Sequence, residues 1–110
     1  CGTGIGIGIA ANKVIGVRCA SVSEPYSAKL AREHNDANVL AIGSRVTGTE
    51  LAKLIVDEFL STDFIGGRHQ HRIDMLSAED ERDDERFKKI ENIPVSKSYK
   101  YNYHEKNYTL

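Results

Sequence analysis

The stretch VRCASVSEPYSAKLAREHNDANVLAIGS (residues 17–44) predicts the fold, because it has the pattern strand, helix, strand. VRCASV (17–22) is apolar and is bounded by turn residues, as expected for a buried strand. Ser27 is a suitable N-cap for a helix that runs to about His34. NVLAIGS (38–44) is too short and too evenly apolar for a surface helix, so it predicts a second buried strand. Two strands joined by a helix in this way pair in parallel.

Two further helices follow the second strand in this interpretation. Thr47 and Glu50 have capping-box spacing, and the apolar residues after them fall on one helical face: Leu51, Leu54, Ile55, Phe59 and Leu60. Another helix is predicted to start near Arg68. The alternation predicts an α/β fold with three layers (αβα) around a parallel, Rossmann-like sheet. Right-handed crossovers then place the N-terminal loop and the strand ends at one edge of that sheet.

The chain begins with a glycine-rich stretch, CGTGIGIGIAANK (1–13), which is predicted to open a short helix over residues 7–14. The dinucleotide fingerprint needs the spacing G-x-G-x-x-G, and here the third glycine comes one residue early, at Gly6. A phosphate-binding loop needs Gly before and Ser or Thr after its lysine, and Lys13 has neither neighbour. Two interpretations stay open: backbone amides that converge on an anion or oxyanion, and a tight turn that lets strand and helix pack closely.

The two cysteines receive different interpretations. A thiol beside the amides of a helix N-terminus has a lowered pKa and becomes a usable base or nucleophile, which makes Cys1 the reactive candidate. Cys1 could also act as an N-terminal nucleophile with its own amine as base, but hydrolases of that kind are antiparallel sandwiches and this chain has a parallel pattern. Cys19 lies inside a predicted strand and is interpreted as a small buried hydrophobe.

The composition excludes several classes of partner. The chain has 110 residues and a formal net charge of −1, which suits one small domain. A charge this close to zero predicts no nucleic-acid partner and no binding to a membrane surface. No apolar run approaches the roughly 20 residues of a membrane span. The cysteines have neither disulfide nor metal-ligand spacing, so no metal site is predicted and a cytoplasmic location is expected.

The character of the sequence changes near residue 77. We predict one domain over residues 1–77 and a different segment over residues 78–110. The alternating acidic and basic run at 79–91 predicts a solvated helical extension with i, i+4 ion pairs. SKSYKYNYHEKNYTL (96–110) is interpreted as disordered, and an added edge strand or a partner-binding segment is the alternative.

Three separated motifs occur in order with little or no gap: CGTGIGIGIAANKVIGVR (1–18), SEPYSAKLAREHNDANVLAIGSRVTG (23–48) and GGRHQHR (66–72). Together they resemble type B ribose-5-phosphate isomerase, a sugar-phosphate isomerase family that also holds the galactose-6-phosphate isomerase subunits. The resemblance covers residues 1 to about 76. It implies interconversion of ribose 5-phosphate and ribulose 5-phosphate through a cis-enediolate, without a metal or a cofactor.

The resemblance assigns proton transfer to the first motif. Cys1 matches the base that moves a proton between C2 and C1 of the sugar, and a thiolate with a near-neutral pKa suits transfer in both directions. The residues after it match the loop whose amides and hydroxyl hold the enediolate oxygens: Gly2, Thr3, Gly4, Ile5 and Gly6. Some members of the family have a Glu at the position of Ile7 instead of this cysteine, so the chain is of the cysteine type.

The second motif supplies the group for ring opening. His34 matches the histidine that opens the furanose ring by acid–base transfer, and Asn35 matches its substrate-binding neighbour. On its own, a histidine at a helix end suits a C-cap or a partner of the helix dipole. The intact string REHND (32–36) favours the catalytic interpretation and a pentose phosphate as the substrate.

Arginines are the candidates for phosphate binding. Arg68 and Arg72 are four residues apart, so on a helix they share a face and either fork a phosphate together or form a solvated basic face. The resemblance places both on the substrate phosphate, and Arg45 matches a third arginine there. His69 is a candidate neighbour of that phosphate. His71 is interpreted as a surface residue, because the two histidines point to different sides of a helix and do not share a metal ion.

The resemblance also implies a longer protein and a second copy. Members of the family have further strands and a Gly-x-Asp-His stretch before the cysteine, so the chain is interpreted as an N-terminally truncated portion that is inactive and marginally stable alone. They are homodimers or homotetramers with active sites at a subunit interface. A small-molecule sugar phosphate and a second copy of the chain are therefore the expected partners. A galactose- or allose-6-phosphate isomerase and a non-catalytic sugar-phosphate-binding fragment are the alternatives.

Overall fold

The computed structural model describes the backbone of residues 1–90 and the side chains of residues 1–82. Its elements, in chain order, are α1 (Ile5–Ala11), β1 (Cys19–Ser21), α2 (Pro25–Asn35), β2 (Val39–Ala41), α3 (Thr49–Ser61) and α4 (Arg68–Ile90). The predictions for the Tyr-rich tail at 96–110, and for ion pairs beyond residue 82, lie outside the described residues.

The two strands form the predicted parallel pair. Cys19 lies opposite Val39 and Ser21 lies opposite Ala41, with α2 as the crossover. Both strands are shorter than the sequence predicts. At the N-terminal ends of the strands the backbone hydrogen-bond ladder stops. There the amide of Arg18 donates to a side-chain oxygen, the Oδ1 of Asn38, at 2.8 Å.

Helices lie on both faces of the sheet. α1 packs on the face that carries Ser21, so closely that a Cβ atom on Gly8 would overlap the Ser21 hydroxyl. α3 lies on the opposite face, where Val56 and Leu40 line the same groove, and α2 packs beside α3. The predicted three-layer α/β architecture with a parallel sheet is confirmed.

The start of α2 differs from the prediction. The helix begins at Pro25, and the carboxylate of Glu24 caps it by accepting hydrogen bonds from the amide of Ser27 at 2.9 and 3.0 Å. The prediction that Ser27 caps the helix is therefore wrong. A glutamate can replace a shorter cap residue here because the proline needs no amide partner and the side chain reaches over it. The same hydrogen bonds lower the pKa of Glu24.

The predicted capping box of α3 is also absent. Gly48 is the N-cap residue and no side chain caps the helix. The hydroxyl oxygen of Thr47 is buried and has no hydrogen-bond partner among the described residues. Thr47 instead belongs to the turn after β2, where its amide donates to the carbonyl oxygen of Gly43 at 2.9 Å.

The core of the described chain is small. Ile55 on α3 is its only fully buried large side chain, and the other buried apolar residues are Ala28, Ala31, Ala37, Ala41 and Ile73. The remaining apolar face of α3 stays open, since Leu54 and Leu60 are 56% and 76% exposed. Two residues of the predicted apolar face, Leu54 and Leu60, are therefore not covered by the described part of the chain.

α4 starts at Arg68 as predicted and packs through Ile73, which is buried. Further along, the Asp80 carboxylate accepts a hydrogen bond from the amide of Gly16 at 3.0 Å, which ties the helix to the turn after α1. The helix passes through residue 77 and continues to Ile90, so the domain boundary there stays a prediction. Among the described residues, no helix is long and apolar enough to cross a membrane.

Candidate active site

The N-terminal residues form a loop, Cys1–Gly6, that we call the cysteine loop. The amide of Ser44 donates to the carbonyl oxygen of Cys1 at 2.8 Å, and the amide of Arg45 donates to that of Gly2 at 3.0 Å. The hydroxyl of Ser21 donates to the carbonyl oxygen of Gly4 at 2.7 Å. Since Ser21 ends β1 and residues 44–45 follow β2, the loop is fixed at the carboxyl ends of both strands, as predicted.

At two positions at this end of the sheet, close packing of the backbone explains why the residue is a glycine. Gly4 has a φ of 77°, and a Cβ atom on it would lie 2.9 Å from the backbone of Ile42. A Cβ atom on Gly43 would lie 2.6 Å from the carbonyl carbon of Thr3. The tight-turn interpretation therefore accounts for Gly4 and for its counterpart Gly43.

The other glycines of the cysteine loop have no such constraint. A Cβ atom on Gly6 would meet no described atom within 4 Å, and one on Gly2 would meet only the side chain of Arg45, at 3.4 Å. Gly6 lies in the first turn of α1, where backbone amides lack partners inside the helix. The backbone at Gly2 and Gly6 is thus open to approach, which is what the oxyanion interpretation requires.

The hydroxyl of Thr3 is oriented by the start of α1. Its oxygen accepts a hydrogen bond from the amide of Ile5 at 3.3 Å. A hydroxyl group that accepts in this way keeps its own hydrogen for another partner. Thr3 can therefore donate to an oxygen atom held above the loop.

The two cysteines differ in access. Cys1 is exposed and lines a groove of about 530 Å³ whose other lining residues are apolar: Ile7, Leu40, Ala41, Ile42, Val56, Phe59 and Leu60. Cys19 is half-buried in β1, and burial raises the pKa of its thiol. Of the two thiols, Cys1 is the more accessible.

A second group of predicted residues lies where α2 ends and α4 begins, and we call it the histidine–arginine cluster: His34, Asn35, Arg68, His69 and Arg72. The rings of His34 and His69 are stacked, with centroids 4.2 Å apart and planes 10° from parallel. Arg68 and Arg72 are exposed on the first turns of α4. The structure thus places the predicted ring-opening histidine beside a residue that neighbours both arginines.

The contact between His34 and His69 is the feature that sequence reasoning missed. His69 is only 8% exposed. Burial lowers its pKa, and the charges of His34, Arg68 and Arg72 lower it further, while Glu33 opposes them. The signal was present in the spacing, because His69 lies four residues before the buried Ile73 and so shares its inward face. His71 is exposed, as predicted.

The end of α2 is held by two arginines. Asp36, the residue after the helix, has a φ of 44°, an uncommon conformation for a residue other than glycine. Arg18 donates to the carbonyl oxygens of Asn35 and Asp36, at 3.2 and 2.8 Å, and pairs with the Asp36 carboxylate at 3.2 Å. Arg32 pairs with the other oxygen of that carboxylate at 3.1 Å. These bonds fix the helix end that carries His34.

The cysteine loop and the histidine–arginine cluster lie at opposite ends of the sheet. The loop contacts the carboxyl ends of the strands, whereas α2 runs back along the sheet and places His34 near the strand starts. At about 1.5 Å per residue, the 11 residues of α2 span about 16 Å. Arg45 lies with the loop, and Arg68 and Arg72 lie with the cluster. Within one chain, Cys1 and His34 are not brought together.

In the part of the chain that the structure describes, no three His, Cys, Asp or Glu side chains are grouped to hold a metal ion. The chemistry on offer consists of a thiol, backbone amides, an imidazole pair and arginines.

Comparison with known proteins identifies the family. The chain matches the family model described as Ribose/Galactose Isomerase over residues 1–76, and it belongs to that family. It is similar to ribose-5-phosphate isomerase B of Escherichia coli, with 60% identity over 82 residues that cover 74% of this chain and 55% of that protein. It is also similar to galactose-6-phosphate isomerase subunit LacA of Enterococcus faecalis, with 47% identity over 76 residues that cover 69% of this chain and 54% of that protein.

The solved structures agree with the sequence comparison. Ribose-5-phosphate isomerase B of Clostridium thermocellum superposes with a TM-score of 0.73 at 51% identity, covering 74% of this chain and 55% of that one. The resemblance of the chain to the sugar-phosphate isomerase family is confirmed. The chain spans about half the length of the relatives that it matches.

Proposed function

We propose that the protein is an aldose–ketose isomerase that interconverts ribose 5-phosphate and ribulose 5-phosphate in the cytoplasm. The observation that carries the proposal is the stack of His34 on His69 beside Arg68 and Arg72, in a chain of the ribose/galactose isomerase family. An acid–base group next to two arginines suits a cyclic sugar that carries a phosphate. The similarity to an isomerase of ribose 5-phosphate supports the same choice of substrate.

The cysteine loop has the groups that the isomerisation step needs. The Cys1 thiolate takes the proton from C2 of the open-chain aldose, and the electron pair forms the C1–C2 double bond while negative charge collects on O1. The thiol then returns the proton to C1, O1 gains a proton, and O2 loses one to become the ketone. In this proposal the backbone amides near Gly2 and Gly6, which are open to approach, and the hydroxyl of Thr3 stabilise the charged oxygens.

The histidine–arginine cluster has the groups for ring opening and for phosphate binding. His34 transfers a proton to the ring oxygen as the bond from C1 to that oxygen breaks and the anomeric hydroxyl loses its proton. Asn35 is assigned to the substrate hydroxyls. Arg68 and Arg72 bind the phosphate, because their guanidinium groups are exposed on adjoining turns of α4.

A complete site needs two copies of the chain in this proposal. The cysteine loop and His34 are at opposite ends of α2, so one copy cannot bring them to the same sugar. We assign Cys1, Thr3 and Arg45 to one subunit, and His34, Asn35, Arg68 and Arg72 to the other. A symmetric homodimer would then form two equivalent sites, and a tetramer would contain two such pairs.

A six-carbon sugar phosphate is the second candidate substrate. The 47% identity to a galactose-6-phosphate isomerase subunit supports it, and the groups described above would act on a six-carbon sugar in the same way. The shared chemistry explains why the site alone does not separate the two substrates. Discrimination depends on how much room the site leaves beyond C5.

An isomerase assay of the native protein tests the proposal. Ribose 5-phosphate, allose 6-phosphate and galactose 6-phosphate are each incubated with the protein, and the ketose product is measured over time. Turnover of ribose 5-phosphate with the highest kcat/KM supports the assignment. Preference for a hexose phosphate would move it to the second candidate, and binding without turnover would leave the sugar-phosphate-binding fragment as the function.

A further inference from the structure

His34 and His69 form the one face-to-face ring pair at the candidate site in the described structure, and only His34 has been given a role above. We propose that His69 is a positioning residue, whose imidazole holds the His34 ring in the plane from which it serves the sugar ring oxygen. The inference rests on the proposed function. It goes beyond it by assigning ring opening to a pair of side chains on two helices.

The geometry distinguishes the fixed member of the pair from the working one. The rings are 4.2 Å apart and 10° from parallel, so they contact over their faces. His69 is 8% exposed, whereas His34 is half-buried and reaches solvent. A substrate therefore meets His34, and His69 supports the ring from behind.

His69 is itself held in place. Its amide donates to the carbonyl oxygen of Gly66 at 3.1 Å, which closes the first turn of α4. One turn further on, Ile73 is buried and anchors the same helical face. On the other side, the amide of Ile65 donates to the carbonyl oxygen of Glu33 at 3.1 Å, which joins the approach to α4 to the end of α2. Backbone hydrogen bonds on both sides of the pair thus hold the two rings in contact.

The charges around the stack favour a neutral His69. Arg68 and Arg72 on α4 and His34 on α2 disfavour a proton on it, burial acts in the same direction, and Glu33 on α2 alone opposes them. A neutral imidazole can lie against a partner that gains and loses a proton without like-charge repulsion. His69 therefore supports both protonation states that His34 passes through when it transfers a proton to the ring oxygen.

Kinetics of the native protein and three variants test the role. His69→Phe keeps a flat ring for stacking, His69→Ala removes it, and His71→Ala is the control because His71 is exposed on the same helix. We expect His69→Ala to lower kcat for ribose 5-phosphate roughly tenfold to a hundredfold, since misplacing a catalytic group costs on this order. KM should change little, and His69→Phe should recover most of kcat.

A second reaction separates ring opening from enediolate chemistry. Ribulose 5-phosphate is open-chain, because its C5 oxygen carries the phosphate and cannot close a five-membered ring. Exchange of its C1 proton with solvent deuterium, followed by NMR, needs the cysteine but no ring opening. We expect exchange to persist in His69→Ala. Equal losses of exchange and isomerisation, or a rise in KM for both substrates, would overturn the proposal and make His69 a phosphate ligand or a purely structural residue.

A measurement that does not depend on enzyme activity, NMR of the His34 ring, completes the test. A stacked ring shifts the imidazole proton signals of its partner, so the His34 signals should move in His69→Ala and stay nearly in place in His71→Ala. Unchanged His34 signals in His69→Ala would show that the rings do not stack, and would overturn the inference. A native protein that turns over no sugar phosphate would instead refute the proposed function, whatever the NMR result.

Discussion

Thr3 and Gly43 touch so closely that no side chain fits between them: a Cβ atom on Gly43 would lie 2.6 Å from the Thr3 carbonyl carbon. Gly43→Ala must therefore displace the cysteine loop or the turn after β2. We expect a loss of about 1–3 kcal/mol in the free energy of unfolding, as for other overpacked positions, together with a fall in activity.

Gly48→Ala is the matched control for this prediction. No described atom lies within 4 Å of a Cβ atom there, and its φ is −67°. Its cost should be about 0.5 kcal/mol, the effect of a poorer N-cap. Chemical denaturation of both variants measures the difference, and equal losses would show that the contact with Thr3 does not constrain the loop.

Replacing the exposed thiol should remove proton transfer while binding survives. We expect Cys1→Ser to lower kcat for ribose 5-phosphate by roughly 10²- to 10⁴-fold, the usual contribution of a general base, with a small change in KM. Cys19→Ser is the control, because burial raises the pKa of that thiol and keeps it protonated. Initial rates across substrate concentrations give both constants. Full activity in Cys1→Ser would refute the assignment of the base.

The separation of the two groups by the length of α2 predicts complementation between inactive copies. Cys1→Ala and His34→Ala should each be inactive alone. When they are mixed and reassembled, roughly a quarter of native activity should return, because half of randomly formed dimers are mixed and each mixed dimer has one intact site. Mixing each variant with itself is the control. No recovery, in a sample where mixed dimers are demonstrated by mass, would rule out a site shared in this way.

Acid should destabilise the fold through His69. Its pKa is below the ordinary 6.5 in the folded protein, chiefly because of burial. The unfolded chain therefore binds this proton at higher pH than the folded chain does, and stability falls as the pH drops below about 6.5 until the folded pKa is passed. Thermal melting at about pH 7.5 and about pH 5.5 should show a larger loss for the native protein than for His69→Phe. An equal loss in both proteins would contradict this source of acid sensitivity.

Much of the fold could be predicted from local pattern. The apolar stretches around Ala20 and Leu40, with one helix between them, allowed only a parallel pair, and the structure confirms it. The helix ends were less predictable. Ser27 and Thr47 both have a residue type that caps helices, but which side chain reaches the first amides depends on the turn before the helix. Glu24 occupies that place in one case, and Thr47 is turned into the protein in the other.

The candidate site, like the fold, could be predicted only in part from the sequence. The cysteine loop is contiguous in sequence, so its residues necessarily lie close together. Arg45 follows the second strand, and the rule for right-handed crossovers predicts that this strand end lies at the same edge of the sheet as the loop. The stack of His34 on His69 is a contact between two helices that are far apart in the chain, and no local pattern encodes the distance between them. The inward position of His69 could have been inferred from Ile73, but its partner could not.

Because the Gly16 amide donates to Asp80, exchange of the Gly16 amide proton reports whether α4 stays attached to the turn after α1. α4 carries both the arginines of the cluster and this carboxylate, so detachment of the helix would release the Gly16 proton to exchange with solvent. A single resonance would then record how often α4, the helix that carries Arg68 and Arg72, detaches from the rest of the molecule.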